Sequence, residues 1–419
     1  MMEFSTAAQG GGAAHAGYLQ GQARTLDAAA TVARARKIFG PLGITRVGNV
    51  TGLDCIGIPV VMVCRPNARS LAVSQGKGVD LDAARASGVM ESIELYHAER
   101  ITHPLKLATF NELRFSHALA DVDRLPRLSI STYGPDRPLL WIEGVELLSS
   151  RRMWLPYELV HQNYTLPLPS GTGCFVLSSN GLASGNLLSE AINHGLCEVI
   201  ERDAKALWRL GSLASQDRSH VDLGTVDDAQ CGKLLELYAN ADVAVGVWDM
   251  TSDIRVAAFT CVVVDRRADP FRGIGPAEGM GCHPRREVAL SRALTEAAQA
   301  RLTLIAGSRD DNGRLRYQSA REAHLADYTR ERLSQPGRRS FQEAPSQWHA
   351  DPRGDASVLV GALEQVGCGQ VLVVDLTKLE LGIPVARVIV PGLEPYHHVP
   401  GYQPGARAQR VLRERAEAS

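Results

Sequence analysis

The sequence predicts a mixed α/β fold, α+β in detail, with helices and strands interleaved along the whole chain. Three observations carry this. Long segments with helical apolar spacing, at about 81–100, 187–210 and 286–307, alternate with short β-branched runs such as VVMVC, DVAVGVWDM and VAAFTCVVVD. Gly and Pro punctuate the junctions between them. The 419 residues, 45% hydrophobic and 22% charged, have ordinary globular composition and suffice for one large domain or two to three smaller ones.

In order along the chain, residues 1–22 are rich in Gly, Ala and Gln and are expected to form a flexible tail. From Thr25, LDAAATVARARKIFGPLGI reads as an amphipathic helix ended by Gly40 and Pro41. ITRVGNVTGL and IGIPVVMVCR follow as two β-rich stretches, and Ser74 to Gly78 (SQGKG) reads as a turn. Asp80 then caps a helix to about Arg100. The Gly- and Ser-rich PSGTGCFVLSSNGLASGN precedes a second helix, and REVALSRALTEAAQARLTLIAG is the third. Residues 308–356 turn charged and rich in Pro, Gly, Gln and Ser, which predicts a surface insertion or loop. VLVVDLT and VARVIVPGL return to strand patterns, and 401–419 form a polar tail with a short helix. Residues 23–400 are therefore read as the working domain.

A net charge of -1 supplies no polyanion-attracting field, so nucleic acid is not expected as a partner. No apolar run approaches bilayer length, and the N-terminus lacks a basic start followed by an apolar core; a cytoplasmic protein without membrane attachment is expected. The eight cysteines are scattered with no Cys-x-x-Cys pair, as for buried reduced thiols rather than a zinc site.

Two Glu-x-x-Glu pairs dominate the chemistry: Glu91 with Glu94, and Glu198 with Glu201. Helical spacing puts each pair on one helix face, and about a hundred residues of chain between them allow two helices to meet across a cleft. Carboxylates so grouped bind hard cations, and hard cations in a soluble enzyme commonly carry phosphates. On the second helix Glu190, His194, Glu198 and Glu201 share a stripe, opposite Ile192, Leu196, Val199, Ile200 and Leu207. The bland alternative is a solvated amphipathic face. Against it, like charges at i,i+3 repel unless a cation intervenes. Asn186 and Glu190 also open this helix directly after a Gly-rich loop whose N–H groups can approach phosphate. The first helix repeats the arrangement, with Ser87, Glu91 and Glu94 on one face and Lys77 just before it. Arg202 follows Glu201 but points to another side of the helix.

Neither Gly-rich stretch is a standard phosphate loop. SQGKG lacks the Gly-x-x-x-x-Gly-Lys-Ser/Thr spacing, and GTGCFVLSSNG fails the dinucleotide fingerprint. On the third helix, Arg292, Glu296, Gln299 and Arg301 read either as surface i,i+4 pairing or as polar groups completing a nucleotide pocket. The adjacent His397 and His398 point apart and make a poor metal pair, and no Gly-x-Ser-x-Gly elbow supports a hydrolase triad.

Five stretches together resemble the YcaO family, in the family's order: ITRVGNVTGLDCIGIPV, RPNARSLAVSQGKG, ARASGVMESIELYHAER, LSSNGLASGNLLSEAINHGLCEVIERDA and ALSRALTEAAQAR. They span roughly residues 24–395. The resemblance implies a YcaO-type ATP-binding fold, commonly homodimeric, that uses ATP and Mg2+ to phosphorylate a peptide-backbone amide oxygen. A nucleophile then displaces phosphate: a substrate Cys, Ser or Thr in azoline-forming cyclodehydratases, or sulfide, often with a TfuA-type partner, in thioamide-forming members. By motif, Glu91, Glu94, Glu198 and Glu201 match the magnesium carboxylates. Asn186, Glu190, Arg202, Ser87 and Gln299 match ATP-site positions, and Arg24 and Thr31 match an N-terminal basic residue and hydroxyl near the phosphates. Lys77 and Glu296 join this set from the residue pattern alone.

The Pro-x-Pro-x-Pro ending of many azoline-forming members is absent; this chain ends RVLRERAEAS, with PGLEPYHHVPG upstream. The motifs also begin almost at the N-terminus, so no fused leader-binding or E1-like domain is expected. TGLDCIGIPVVMVCRPNARSLAVSQGKG resembles the TfuA-associated branch most, which implies thioamide formation in a ribosomally made peptide or protein. Azoline formation, other amide activation such as amidine formation, a non-catalytic nucleotide-binding regulator and, outside the family, a metal-dependent hydrolase remain the alternatives.

Overall fold

The computed structural model describes residues 24–417 except 268–273, 310, 312–318, 348, 350 and 396–400. The backbone divides into two compact units, one of Met1–Asp27, Ile93–Leu210 and His349–Ser419, the other of Ala28–Ser92 and Gly211–Trp348.

The first unit is built on a six-stranded antiparallel sheet. Its path runs Leu105–Ala108, Leu139–Glu146, Leu372–Asp375, Val385–Ile389, Leu182–Ser184, with Arg152–Pro156 also paired to Leu139–Glu146. The register sets Arg387 beside Leu182 on one neighbour and Val374 on the other. The Leu188–Leu210 helix packs on the last two strands of the path, and helices Pro352–Gln365 and Ala406–Glu417 pack on that helix. Covered on so many sides, it buries Leu196, Ile200, Asp203, Lys205 and Ala206 alike.

The second unit contains two three-stranded antiparallel sheets. One is Arg46–Asn49, Val60–Cys64, Val73–Lys77; the other has the order Ala277–Cys282, Ala258–Asp265, Val243–Asp249. The Arg286–Ala306 helix lies on Ala277–Cys282 at close range, because a Cβ at Gly281 would sit 2.0 Å from the Ala289 carbonyl oxygen. Val247, Phe259, Leu290, Leu294 and Phe341 meet in the unit's core. The Leu81–Glu99 helix begins in this unit and ends in the first, the division falling after Ser92.

Several sequence expectations change. The Ser74–Gly78 segment is not a turn: Val73–Lys77 is a strand paired to Val60–Cys64. Its glycine serves close packing, since a Cβ on Gly76 would meet the Ala84 oxygen at 2.0 Å and the Gly88 nitrogen at 2.1 Å. The first predicted helix ends at Arg36; a second short helix, Phe39–Leu42, contains Gly40 and Pro41, and Gly43 at φ 71° supplies the left-handed cap. Within 308–356, the Ser319–Leu333 helix packs on Val243–Asp249 and Ala258–Asp265, and Phe341 is 1% exposed, so this stretch adds to the core. The C-terminal segment is a docked helix rather than a tail, with Arg407 and Ala408 buried. Asp80 does cap the Leu81–Glu99 helix, accepting from the Ala83 N–H at 2.7 Å. The expected N-terminal tail, residues 1–22, and the His397–His398 pair lie outside the described residues. Among the described residues, no helix is long and apolar enough to cross a membrane.

Candidate active site

In the second unit the predicted residues gather around one edge strand. Val73–Lys77 is hydrogen-bonded to a single neighbouring strand, which leaves outward backbone groups to satisfy. Side chains from two helices do this. The Gln75 N–H donates to Glu91 at 3.2 Å, and the Gln75 carbonyl accepts from Gln299 Nε2 at 2.9 Å. Thr303 Oγ1 donates to the Gln75 side-chain oxygen. Lys77 Nζ pairs with Glu296 Oε2 at 2.5 Å, while Glu296 Oε1 accepts from the Met280 N–H at 3.3 Å. Glu91, Gln299, Lys77 and Glu296 are thus brought to one strand; Thr31 is buried and Ser87 half-buried in the same unit.

Burial pushes the Glu91 carboxyl above its usual range, and Arg309, Lys77 and the Gln75 N–H oppose that rise. Arg301, grouped by sequence with Glu296 and Gln299, has a different task. It is 1% exposed and held by Asp54 at 2.9 Å and Asp265 at 2.8 Å, so it locks its helix to the framework and is not a surface or pocket group.

The first unit holds the other set. The second carboxylate helix does not present a solvated stripe: Glu190 is 1% and Glu201 8% exposed. Glu190 serves the start of its own helix. Its Oε2 accepts from the Asn186 N–H at 2.7 Å, and its Oε1 from the Thr25 N–H at 2.6 Å and hydroxyl at 2.9 Å. That carboxylate therefore orders both Asn186 and the residue next to Arg24. Glu94 Oε1 accepts from the Ser184 N–H at 2.8 Å and hydroxyl at 2.6 Å. Glu198 lies 3.8 Å from Arg202, one turn on, so Arg202 joins the carboxylate face from which sequence reasoning had separated it.

Sequence reasoning missed Gln75, Thr303, Ser184 and Thr25. The available signal was weak: a Gln between Ser and Gly in an apolar neighbourhood, and single hydroxyls whose partners are distant in sequence.

Among the described residues, no three His, Cys, Asp or Glu side chains stand together as a ready-made metal centre. The four predicted ligands are nevertheless all carboxylates, hard oxygen donors suited to Mg2+. Each Mg2+ ion is usually bound through one or two protein carboxylates and completes its shell with water and phosphate oxygens, so four carboxylates suit more than one such ion. Enclosed carboxylates such as Glu201 also gain from a compensating cation. The donor chemistry fits magnesium.

The family model described as YcaO cyclodehydratase, ATP- and Mg2+-binding, matches residues 75–394. The chain is 37% identical over 400 residues to an "Uncharacterized protein in tfuA 3'region" of Rhizobium leguminosarum bv. trifolii, covering 93% of each. A Methanothermobacter thermautotrophicus protein is 37% identical over 380 residues, 85% of this chain and 92% of that one. Among solved structures, a heterocyclase in complex with substrate and cofactor aligns with a TM-score of 0.71 and 26% identity over 89% of this chain; the chain spans 53% of that protein's length. YcaO from Methanopyrus kandleri, bound with AMPPCP and Mg2+, aligns with a TM-score of 0.67 at 20% identity over 89% of this chain and 92% of that one, a likeness of fold. The mixed α/β architecture is the one these structures share, and the chain belongs to the YcaO family.

Proposed function

We propose that this protein is an ATP-dependent enzyme that activates a peptide-backbone amide by O-phosphorylation, after which sulfide displaces phosphate to leave a thioamide. The observation that carries the activation step is the pair of glutamate-bearing helices inside the region matched to an ATP- and Mg2+-binding family. The relative in a tfuA 3' region supports sulfide as nucleophile and a TfuA-type partner. The peptide or protein substrate, a homodimer and a cytoplasmic location belong to the same reading.

Glu91, Glu94, Glu198 and Glu201 are assigned to Mg2+, and Arg24, Thr31, Lys77, Ser87, Asn186, Arg202, Glu296 and Gln299 to ATP. Glu190 acts in the ATP site by ordering Asn186 and Thr25. An amide oxygen is a poor leaving group; bound Mg·ATP supplies the phosphoryl group that makes it a good one and the charge that offsets the phosphates. The protein's own work is to hold these side chains in place before substrate arrives. Lys77 and Arg202 offer positive charge already oriented by Glu296 and Glu198. The edge-strand contacts of Gln75 fix Glu91 and Gln299 relative to each other.

Incubation with a precursor peptide, ATP and sulfide tests this by mass spectrometry. Exchange of one oxygen for sulfur is expected. Loss of water without sulfide would establish the second reading, an azoline-forming cyclodehydratase, which the similarity to the substrate-bound heterocyclase favours. Slow ATP hydrolysis with no peptide change would make the protein a nucleotide-binding regulator.

A further inference from the structure

The Leu188–Leu210 helix is fastened from behind by a polar assembly of residues that carry no ATP or Mg2+ assignment. Asp203 is fully buried two residues after Glu201. Arg407, from the C-terminal helix, grips it with both arms of the fork: Nε to Oδ1 at 2.9 Å and Nη2 to Oδ2 at 2.8 Å. The Glu394 N–H also donates to Asp203 Oδ1, at 3.0 Å. Glu394 in turn organises the start of the C-terminal helix, accepting from the Gly405 N–H at 3.0 Å, the Ala408 N–H at 2.9 Å and the Tyr402 hydroxyl. Two buried acids and one buried arginine thus form a closed hydrogen-bonded unit between the C-terminal segment and the carboxylate helix.

Helix geometry gives this unit a directional consequence. At 3.6 residues per turn, Asp203 lies about 200° around the axis from Glu201 and about 140° from Glu198. A bidentate grip on the back of the helix therefore resists rotation about its axis, and rotation is the motion that would swing Glu198 and Glu201 away from their task. We propose that Asp203 and Arg407 are positioning residues, through which the C-terminal helix sets the angular placement of the Glu198–Glu201 turn for magnesium. The inference rests on the magnesium assignment in the proposed function and extends it to a segment outside the matched family region.

The experiment uses the full-length protein. ATP turnover is titrated with Mg2+ at saturating ATP for the parent, Arg407→Met and Arg407→Lys, at a temperature where circular dichroism shows each folded. Removing an orienting partner should raise the half-saturating Mg2+ concentration of Arg407→Met by about tenfold to a hundredfold. Arg407→Lys, which keeps the charge but offers a single donor nitrogen in place of the fork, should recover part of that loss. An ion pair that only staples the helix would lower the unfolding temperature and leave the half-saturating concentration at the parent value; that result overturns the proposal. Should Arg407→Met fail to fold, the neutral pair Asp203→Asn with Arg407→Gln is judged by the same criterion. Parent turnover that needs no Mg2+ would overturn the magnesium assignment itself, an outcome distinct from an unshifted Arg407→Met titration.

Discussion

Ser184 holds a single oxygen of Glu94 with two donors, its backbone N–H at 2.8 Å and its hydroxyl at 2.6 Å. Ser184 ends a three-residue strand, Leu182–Ser184, just before the second carboxylate helix, so a residue beside one Glu pair orients a member of the other. If Glu94 serves magnesium, the hydroxyl is an orienting partner. Ser184→Ala should weaken Mg2+-dependent ATP turnover by about tenfold and cost about 1 kcal/mol of stability. A Mg2+ titration and a urea melt check the two effects separately. An unchanged titration would show that the contact is only a strand-to-helix tie.

Glu91→Ala and Glu201→Ala test the carboxylates themselves. Each should reduce ATP turnover by more than about a hundredfold, since a direct ligand matters at least as much as the partners that orient it. Circular dichroism should show both variants folded. Near-normal turnover in either would remove that residue from the site. Isothermal titration with ATP in the presence and absence of Mg2+ adds a second readout, and tight metal-free binding would count against all four glutamates.

The architecture was readable where one period dominated the sequence. The 19-residue Leu81–Glu99 helix, the 23-residue Leu188–Leu210 helix and strands such as Ala258–Asp265 stand where apolar spacing placed them. Ser74–Gly78 was misread because its two glycines carry the signature of a turn, whereas Gly76 is there to let a helix backbone approach a strand. The carboxylate pairs were visible as spacing, but the burial of Glu201 was not. Glu201 looks like surface in a helical projection and is enclosed because packing covers both sides of its helix. Contacts such as Thr25 with Glu190, 165 residues apart, leave no local trace.

Arg301 allows a stability test away from the chemistry. Its guanidinium is buried between Asp54 and Asp265. Asp54→Ala leaves that charge short of one partner, and breaking a buried pair from one side costs about 3–5 kcal/mol. Chemical denaturation should show a loss of this order. A loss below about 1 kcal/mol would mean that solvent reaches the pair.

The pH dependence of stability follows from two fully buried histidines in the first unit. Burial lowers His97 to about 4, against a model-peptide value of 6.5, and lowers His161 to about 4, with the Arg387 charge adding to the effect. Between these limits the unfolded chain binds protons that the folded protein refuses. The stability these two histidines contribute is therefore complete above about pH 6.5 and falls as pH drops toward 4. At about 1.4 kcal/mol per pH unit, each histidine removes at most about 3 kcal/mol over that window. Urea unfolding at pH 7, 6, 5 and 4 should show the decline, and His161→Gln, which keeps an acceptor for the Asn163 N–H, should remove roughly half of it. A His161→Gln profile parallel to the parent's from pH 6.5 to 4 would mean that the His161 imidazole is reached by water and titrates as it does in the unfolded chain.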